Sequence, residues 1–329
     1  IYFSYFCGMK LQTPVVDSPC KVEISYKDKI MMLGSCFTDN IGGQLKNYGF
    51  DVCVNPFGTL YNPASVLAAI KRLISMEPFV EDECVQIGAG DMRFCSYSHH
   101  TSFARGTVQE FLDDANTSLS EAAEFFRTCN KIIITLGTSW CYRHIERDQI
   151  VSNCLKHPAA EYKREFLPAS QTAEILSEIM QLSNSSDKSF TPKDFIFTVS
   201  PIRHFKDGAH GNQVSKASLL VGVNQALTPA SICRADYFPS YEIMMDELRD
   251  YRFYSEDMLH PSHQAVDYIW ERFVEAYFSE QAKQFLLEWK PLKEALGHKP
   301  FNPDSDEHKA FVEKTNKKIE EFKKKWHIQ

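Results

Sequence analysis

The sequence lacks several features that would place the protein in a familiar class. No segment approaches the ~20 consecutive apolar residues that a membrane-spanning helix requires. The first ten residues, IYFSYFCGMK, are aromatic but have neither a basic n-region nor a long apolar stretch, which is unlike a secretory signal peptide. None of the ten cysteines forms a Cys-x-x-Cys pair, which argues against a zinc ribbon. The formal net charge of −7 argues against nucleic acid or an anionic membrane as the main partner.

The length and composition of the sequence are typical of a globular protein. Its 329 residues are 43% hydrophobic and 24% charged, enough to bury a sizeable core. The scattered cysteines predict reduced thiols, and we therefore expect the protein to lie in the cytoplasm. The partner that we expect is a small molecule. The adjacent His99 and His100 lack complementary ligand spacing, so we expect neither a metal nor another cofactor. The oligomeric state is left open.

The change in composition along the chain predicts a division into three segments. Residues 1–8 resemble the remnant of a tag, since Met9 looks like a natural initiator. Residues 9–295 form the predicted main domain. Residues 296–329 are a lysine-rich extension whose pattern predicts an amphipathic helix with a solvated charged face.

Short apolar runs alternate with helical patterns through the main domain. The runs at 29–34, 51–56, 131–137 and 194–201 predict buried strands, and the stretches 85–104 and 140–154 predict hairpins. Asn62 followed by Pro63 predicts the start of a helix. We therefore predict an α/β fold with a doubly wound, mainly parallel sheet flanked by helices, β-hairpin excursions and a C-terminal helix.

Strand ends are where ligands bind in open α/β sheets, and Ser35 and Cys36 follow such an end. A side chain at a helix N-terminus gains the positive end of the helix dipole and free N–H groups for an oxyanion. Ser35 is thus either a nucleophile or only a helix cap. Cys36 is its rival, since a thiol there can have a lowered pKa. Adjacent helical residues point about 100° apart, so only one can face a given partner.

Asp257 and His260 lie three residues apart, just before a predicted helix. A nucleophile needs a general base, and the base needs a carboxylate that fixes its tautomer. The spacing predicts that this carboxylate and imidazole lie side by side.

Five motifs in order resemble the GSCFA family: LGSCF (33–37), NPFGTLYNP (55–63), LGTSW (136–140), SPIRHFKDGAHGNQ (200–213) and the stretch from YFPSYEIMMDELRDYRFY to EDMLHPS (237–262). That family is grouped with the SGNH (GDSL-like) hydrolases. The resemblance implies a flavodoxin-like three-layer fold. It also implies that Ser35 is the nucleophile of a triad with Asp257 and His260, and that Cys36 is turned into the core.

The resemblance also implies an oxyanion hole made by three donors. These would be the N–H of Ser35, the N–H of Gly58, and an Asn side chain from the third motif. Here the third motif reads Gly137-Thr138-Ser139-Trp140, without that Asn. The Thr138 hydroxyl, or the amide of Asn55 or Asn62, could stand in for it.

The remaining candidate residues would border the substrate. Arg203 and His204, in a predicted Gly-bearing loop (203–212), could bind an anionic or hydroxyl-rich substrate or belong to a solvated surface loop. Trp140 could line a subsite or the core.

These expectations together predict an ester hydrolase with an acyl-enzyme on Ser35. The resemblance favours a small O-acyl ester, such as an acetylated carbohydrate, as substrate. Three alternatives stay open: an acyltransferase with the same mechanism, a ligand-binding module with negligible turnover, and thiol chemistry at Cys36.

Overall fold

The computed structural model describes residues 13–15, 20–88, 90, 92–184, 189–228, 233–297 and 305–326. The segment 1–8, interpreted above as a tag remnant, lies outside these residues. The strands are β1 Lys29–Gly34, β2 Asp51–Val54, β3 Cys84–Gln86, β4 Phe94–Ser96, β5 Lys131–Leu136, β6 Trp140–His144, β7 Gln149–Val151, β8 Tyr162–Phe166, β9 Asp194–Val199 and β10 Ala235–Phe238. The helices are α1 Cys36–Asn47, α2 Pro63–Ser75, α3 Val108–Thr128, α4 Ala169–Ser183, α5 Gly208–Leu227, α6 Ser240–Glu242, α7 His263–Tyr277, α8 Glu280–Leu296 and α9 Asp306–Trp326.

Five of these strands form one parallel sheet in the order β10-β9-β5-β1-β2. The three central strands, KIMMLG, KIIITL and DFIFTV, are mostly apolar after a charged first residue, because helices cover both of their faces. Met31 and Leu33 belong to the core that includes residues of α2, α3, α4 and α5. Ile30 and Met32 belong to a second core with residues of α1, α7, α8 and α9. The predicted doubly wound, three-layer α/β architecture is confirmed.

Two small antiparallel sheets leave this frame. Strands β3 and β4 pair with each other, and β6 pairs with β7 on one side and β8 on the other. Both predicted hairpins are confirmed, but β8 was not predicted. Its sequence, YKREF, has three charged residues of five and so lacks an apolar strand signal.

The prediction of a loop over 203–212 is wrong for its second half. A short 3-10 turn spans Phe205–Asp207, and α5 already begins at Gly208. Four of the first five residues of this helix are glycine, histidine or asparagine, which are weak helix formers, so its first turn carries little propensity signal.

The sheet order sets the position of the ligand site. Counted in chain order within the sheet alone, the strands run 2-1-3-4-5, and the order reverses between β1 and β5. Ligands bind at such a switch point, outside the carboxyl ends of the strands. The segments that follow β1 and β5 are the first and third of the family-like motifs.

The predicted C-terminal helix is α9, which packs on α8 and on the segment before β1. Phe322 and Trp326 pack against Phe285, and the Trp326 ring also meets Tyr26 edge-on at 5.0 Å. Among the helices that the structure describes, none combines the length and apolarity needed to cross a membrane.

Candidate active site

A tight turn joins β1 to α1. Gly34 has a φ of +143°, and a Cβ there would lie 2.2 Å from the backbone oxygen of Thr135 on β5. The side-chain oxygen of Asn55 accepts the Gly34 N–H at 2.9 Å, and Thr135 O accepts the Ser35 N–H at 3.1 Å. Glycine is required here because any side chain would push β1 away from β5.

Ser35 is fully buried at the N-cap of α1. Its Oγ makes no hydrogen bond with any described residue, and its Cβ would lie 3.4 Å from a Cβ added at Gly137. Cys36 instead lines the cleft outside the strand ends, with its Sγ 3.8 Å from Nε2 of His260. The orientation expected for the pair is therefore reversed. Ser35 has an extended backbone and Cys36 is the first helical residue, so the two side chains leave the turn in different directions, the serine into the interior and the thiol to the cleft.

Asp257 and His260 lie side by side, as their spacing predicts. Asp257 Oδ2 lies 2.5 Å from His260 Nδ1, and Oδ1 accepts the backbone N–H groups of His260 and Leu259 at 2.9 Å each. These N–H groups, together with the imidazole, lower the pKa of Asp257 to about 2. An ionised carboxylate can only accept, so Nδ1 carries the proton of the neutral ring and Nε2 presents a lone pair to Cys36.

The surroundings of the Cys36 thiol shift its pKa in both directions. Burial raises its pKa, and the Asp39 carboxylate adds to the rise. The N–H groups of Cys36 and Phe37 at the start of α1 and the ammonium of Lys216 lower the pKa of the thiol, without cancelling the rise. The thiol therefore keeps its proton until a base such as His260 removes it.

Gly58 does not lie where the resemblance implies. Its N–H donates to Asn55 O at 2.7 Å, and it is not among the residues that line the cleft. Gly58 serves a tight turn, because its φ is +76° and a Cβ added there would lie 2.4 Å from His100 Cβ. The N–H groups of Gly137 and Thr138 are also engaged, both by Tyr61 O at 2.8 and 2.9 Å.

Asn62 is the side-chain amide that the structure places at the cleft. Its Oδ1 caps α2 by accepting the Ser65 N–H at 2.9 Å, whereas its Nδ2 has no acceptor among the described residues. Asn55 cannot take this role, because its amide is committed to Gly34 on one side and to Asp39, at 2.7 Å, on the other.

The hydroxyl of Thr138 also remains available to the cleft. Ser215 Oγ accepts from both the N–H and the hydroxyl of Ser139, at 2.8 and 3.1 Å. Ser215 must therefore donate to Thr138 Oγ1, 3.0 Å away, which also accepts the Trp140 N–H at 3.1 Å. With both lone pairs of Thr138 used, its own proton is free to point to a ligand.

The cleft has a volume of about 530 Å³ and brings together residues from seven stretches of the chain. Of the predicted site residues, those that line it are Asn62, Thr138, Trp140, Arg203, His204 and His260. Ser35, Gly58, Gly137 and Asp257 are not part of its wall. The Trp140 ring packs between Phe166, edge-on at 5.0 Å, and the Arg164 guanidinium, 4.1 Å from the ring centroid.

His204 also lines the cleft, but its environment does not suit it to act as a base in place of His260. Burial, with the charges of Lys216 and His260, lowers the pKa of His204 to about 4. Its Nε2 is buried without a hydrogen-bond partner in the described part of the chain. A neutral, weakly basic imidazole is suited to contact substrate, not to remove a proton from a thiol.

Lys216 lies behind the candidate site and was not identified from the sequence. It is fully buried on α5, and its Nζ donates to Gly137 O at 2.7 Å and to Ser200 O at 2.8 Å. It thus ties together the segments after β5 and β9. Burial lowers the pKa of Lys216 to about 7. The available signal was a lysine in register with the buried Leu219 and Val223 of the same helix.

His99 has a structural role. It is fully buried, its Nδ1 lies 2.7 Å from Ser96 Oγ, and burial lowers its pKa to about 3. Over the described ranges, no three His, Cys, Asp or Glu side chains are grouped as a metal site would require.

Two models of known protein families match the chain. The model described as "GSCFA family" matches residues 29–273, and that described as "GSCFA domain protein, C-terminal domain" matches residues 289–328. No curated protein and no solved structure matches the chain. Because the first match alone spans the sheet, the β1–α1 turn and the Asp257/His260 loop, the chain belongs to the GSCFA family.

Proposed function

We propose that the protein is an acyl-transfer enzyme that uses Cys36 as its nucleophile, and that its reaction is the hydrolysis of a small O-acyl ester. One observation carries the proposal: Cys36 Sγ lies 3.8 Å from His260 Nε2, while Asp257 holds the opposite nitrogen of the ring at 2.5 Å. Nucleophile, base and orienting carboxylate are the three parts of an acyl-transfer triad.

In the first half of the reaction, His260 Nε2 takes the thiol proton as Sγ bonds to the ester carbonyl carbon. The resulting oxyanion is held by the Cys36 N–H, a donor at the helix start without an intrahelical acceptor, and by Nδ2 of Asn62. The C–O bond then breaks, His260 gives its proton to the leaving oxygen, and the acyl group remains on Sγ as a thioester.

In the second half, His260 removes a proton from water, and the hydroxide adds to the thioester carbonyl. The C–S bond breaks, the sulfur recovers the proton, and a carboxylic acid leaves. An acceptor hydroxyl in place of water would make the same enzyme an acyltransferase. The grouping of GSCFA proteins with SGNH hydrolases supports a small acyl group on a carbohydrate as the substrate class.

The test compares single variants in the hydrolysis of p-nitrophenyl acetate. Cys36→Ala is expected to lose about 1000-fold or more in kcat/KM, since a triad without its nucleophile retains only binding and oxyanion stabilisation. Ser35→Ala should stay within a few-fold of wild type, and Cys84→Ala, which removes a thiol on β3, is the matched control.

Two results would overturn the proposal. Loss of activity in Ser35→Ala together with an active Cys36→Ala would return the nucleophile to the serine that the resemblance implied. Wild-type turnover no faster than that of Cys36→Ala would leave a binding module on the same fold.

A further inference from the structure

The cleft carries a charge opposite to that of the chain. Its wall includes the cations Arg164, Arg203 and Lys206 and one carboxylate, Asp207, a net charge of +2. The whole chain has a formal charge of −7. Because a cleft with low-dielectric walls concentrates the field of its own charges, this one attracts anions from a surface that otherwise repels them.

One of the three cations is already neutralised. Arg164 forms an ion pair with Asp207 and stacks on the Trp140 ring. This pair shapes one wall of the cleft and leaves the excess charge on Arg203 and Lys206.

Arg203 and Lys206 have no carboxylate partner among the residues that the structure describes. The Arg203 guanidinium lies 5.1 Å from the Phe205 ring centroid and reaches the Tyr254 hydroxyl, and its Nε is buried without a hydrogen-bond acceptor. Lys206 Nζ lies 5.3 Å from the Tyr142 ring centroid. Aromatic faces thus hold both cations, and no carboxylate in the described ranges is paired with either of them.

A partly desolvated guanidinium without a counter-ion is costly, and a polar N–H buried without an acceptor adds to that cost. A ligand anion would remove both penalties. The guanidinium fork matches a carboxylate or a phosphate in two parallel hydrogen bonds, and a lysine adds a mobile second charge.

We propose that the ester substrate carries an anionic group, a carboxylate or a phosphate, which Arg203 and Lys206 bind while the ester carbonyl lies at Cys36. The inference rests on the proposed function, because it names the substrate class for the same site. Trp140 and Tyr142, on the same wall, supply flat apolar surface for the part of the substrate between the two ends.

The first test measures anion preference without any turnover. Iodoacetate and iodoacetamide are nearly isosteric alkylating agents that differ in charge, so the ratio of their rates at one thiol reports the local potential. The ratio is read at Cys36 by peptide mass spectrometry on the intact protein at low salt. Cys84, which lies beside Glu81 and Glu83, is the internal reference.

We expect the iodoacetate-to-iodoacetamide ratio to be about 5-fold or more higher at Cys36 than at Cys84. Arg203→Gln and Lys206→Gln should each lower the ratio at Cys36, whereas Arg249→Gln, an exposed arginine paired with Asp246, should leave it unchanged. Equal ratios at the two thiols, or a ratio at Cys36 that neither variant changes, would overturn the inference. Lys206 is exposed, so its variant tests the inference even if Arg203→Gln does not fold.

The second test distinguishes the two anions. The probes 3-acetoxybenzoate, 3-acetoxyphenyl phosphate and 3-acetoxybenzamide share an acetyl ester on an aryl ring and differ in charge. The preferred anion should exceed the neutral amide about 10-fold or more in kcat/KM, and Arg203→Gln should reduce that ratio. Cys36-dependent turnover without an anion preference would overturn this inference and keep the proposed function. If alkylation at Cys36 shows an anion preference but turnover survives Cys36→Ala, the anion site is supported and the proposed function is overturned.

Discussion

At the scale of single residues, the Cys36 thiol is tuned by two charges of opposite sign. The Asp39 carboxylate raises its pKa and the Lys216 ammonium lowers it. A negative neighbour disfavours the thiolate and a positive one favours it, so removing each should move the titration in opposite directions.

We predict that Asp39→Asn lowers the pKa of Cys36 and that Lys216→Met raises it. The amide introduced at position 39 can still accept from Asn55, so the first variant removes the charge and keeps the hydrogen bond. The measurement is the rate of iodoacetamide alkylation at Cys36 against pH. The profile should move to lower pH in Asp39→Asn and to higher pH in Lys216→Met. Profiles that coincide with that of wild type in both variants would show that these charges do not reach the thiol.

The sequence located Asp257 and His260 but not the orientation of Ser35 and Cys36. The first pair is a local arrangement, in which a three-residue spacing and backbone N–H groups fix the geometry. The second depends on where β1 ends against β5, a tertiary contact at Gly34 that sequence spacing does not encode. Lys216 was missed for the same reason, since its acceptors lie on two other segments.

At the scale of elements, the start of α2 combines structure and proposed chemistry in one side chain. Asn62 Oδ1 caps the helix, as the Asn-Pro signal predicted, and Nδ2 is left for the cleft. The two roles use different atoms, so they can be separated by substitution.

We predict that Asn62→Ala lowers the free energy of unfolding by about 1 kcal/mol and also lowers kcat by about 100-fold. Asn62→Ser retains a capping oxygen but not the amide, and should restore most of the stability without the activity. Chemical denaturation and steady-state kinetics give the two readouts. Activity that returns together with stability in Asn62→Ser would exclude the amide as an oxyanion donor.

The two glycines Gly34 and Gly43 should respond oppositely to alanine. Gly34→Ala meets backbone atoms of Thr135 at a positive φ and should cost about 3 kcal/mol or more. Gly43 lies within α1, and a Cβ added there would meet nothing within 4 Å, so Gly43→Ala should add about 0.5–1 kcal/mol to the stability. Denaturant midpoints measure both. A tolerated Gly34→Ala would contradict the close approach of β1 to β5.

Elements differ in how far the sequence predicts them. β1, β5 and β9 are mostly apolar after a charged first residue, because both faces of the sheet are buried there, and the sequence predicted them. β8 was missed because its lysine, arginine and glutamate give it no apolar pattern. Its extended conformation depends on its pairing with β6. Solvated strands are specified by their partner more than by their own composition.

At the scale of the whole molecule, α9 completes the core that it shares with α1, α7 and α8. Phe322 is buried against Phe285 and Trp289, and the Trp326 Nε1–H donates to Glu288 at 3.1 Å. None of these residues lines the cleft.

We therefore predict that Phe322→Ala destabilises the fold by about 3–5 kcal/mol through loss of burial and the cavity left behind. The kcat/KM of the folded fraction should stay unchanged, since the site is built by other segments. Phe311→Ala, a half-exposed phenylalanine on the same helix, is the matched control and should cost less. Thermal unfolding and kinetics well below the transition provide the comparison. A large fall in kcat/KM with little loss of stability would tie α9 to the site.

The central claim is that Cys36 carries the acyl group, and the most direct measurement is the location of that group. The protein would be mixed with p-nitrophenyl acetate, quenched in acid within the first turnover, digested and mapped by mass spectrometry. The account predicts an added acetyl group on Cys36 that neutral hydroxylamine removes, as expected of a thioester, and no adduct in Cys36→Ala. An acetyl group on Ser35, or one that persists in Cys36→Ala at another residue, would contradict it.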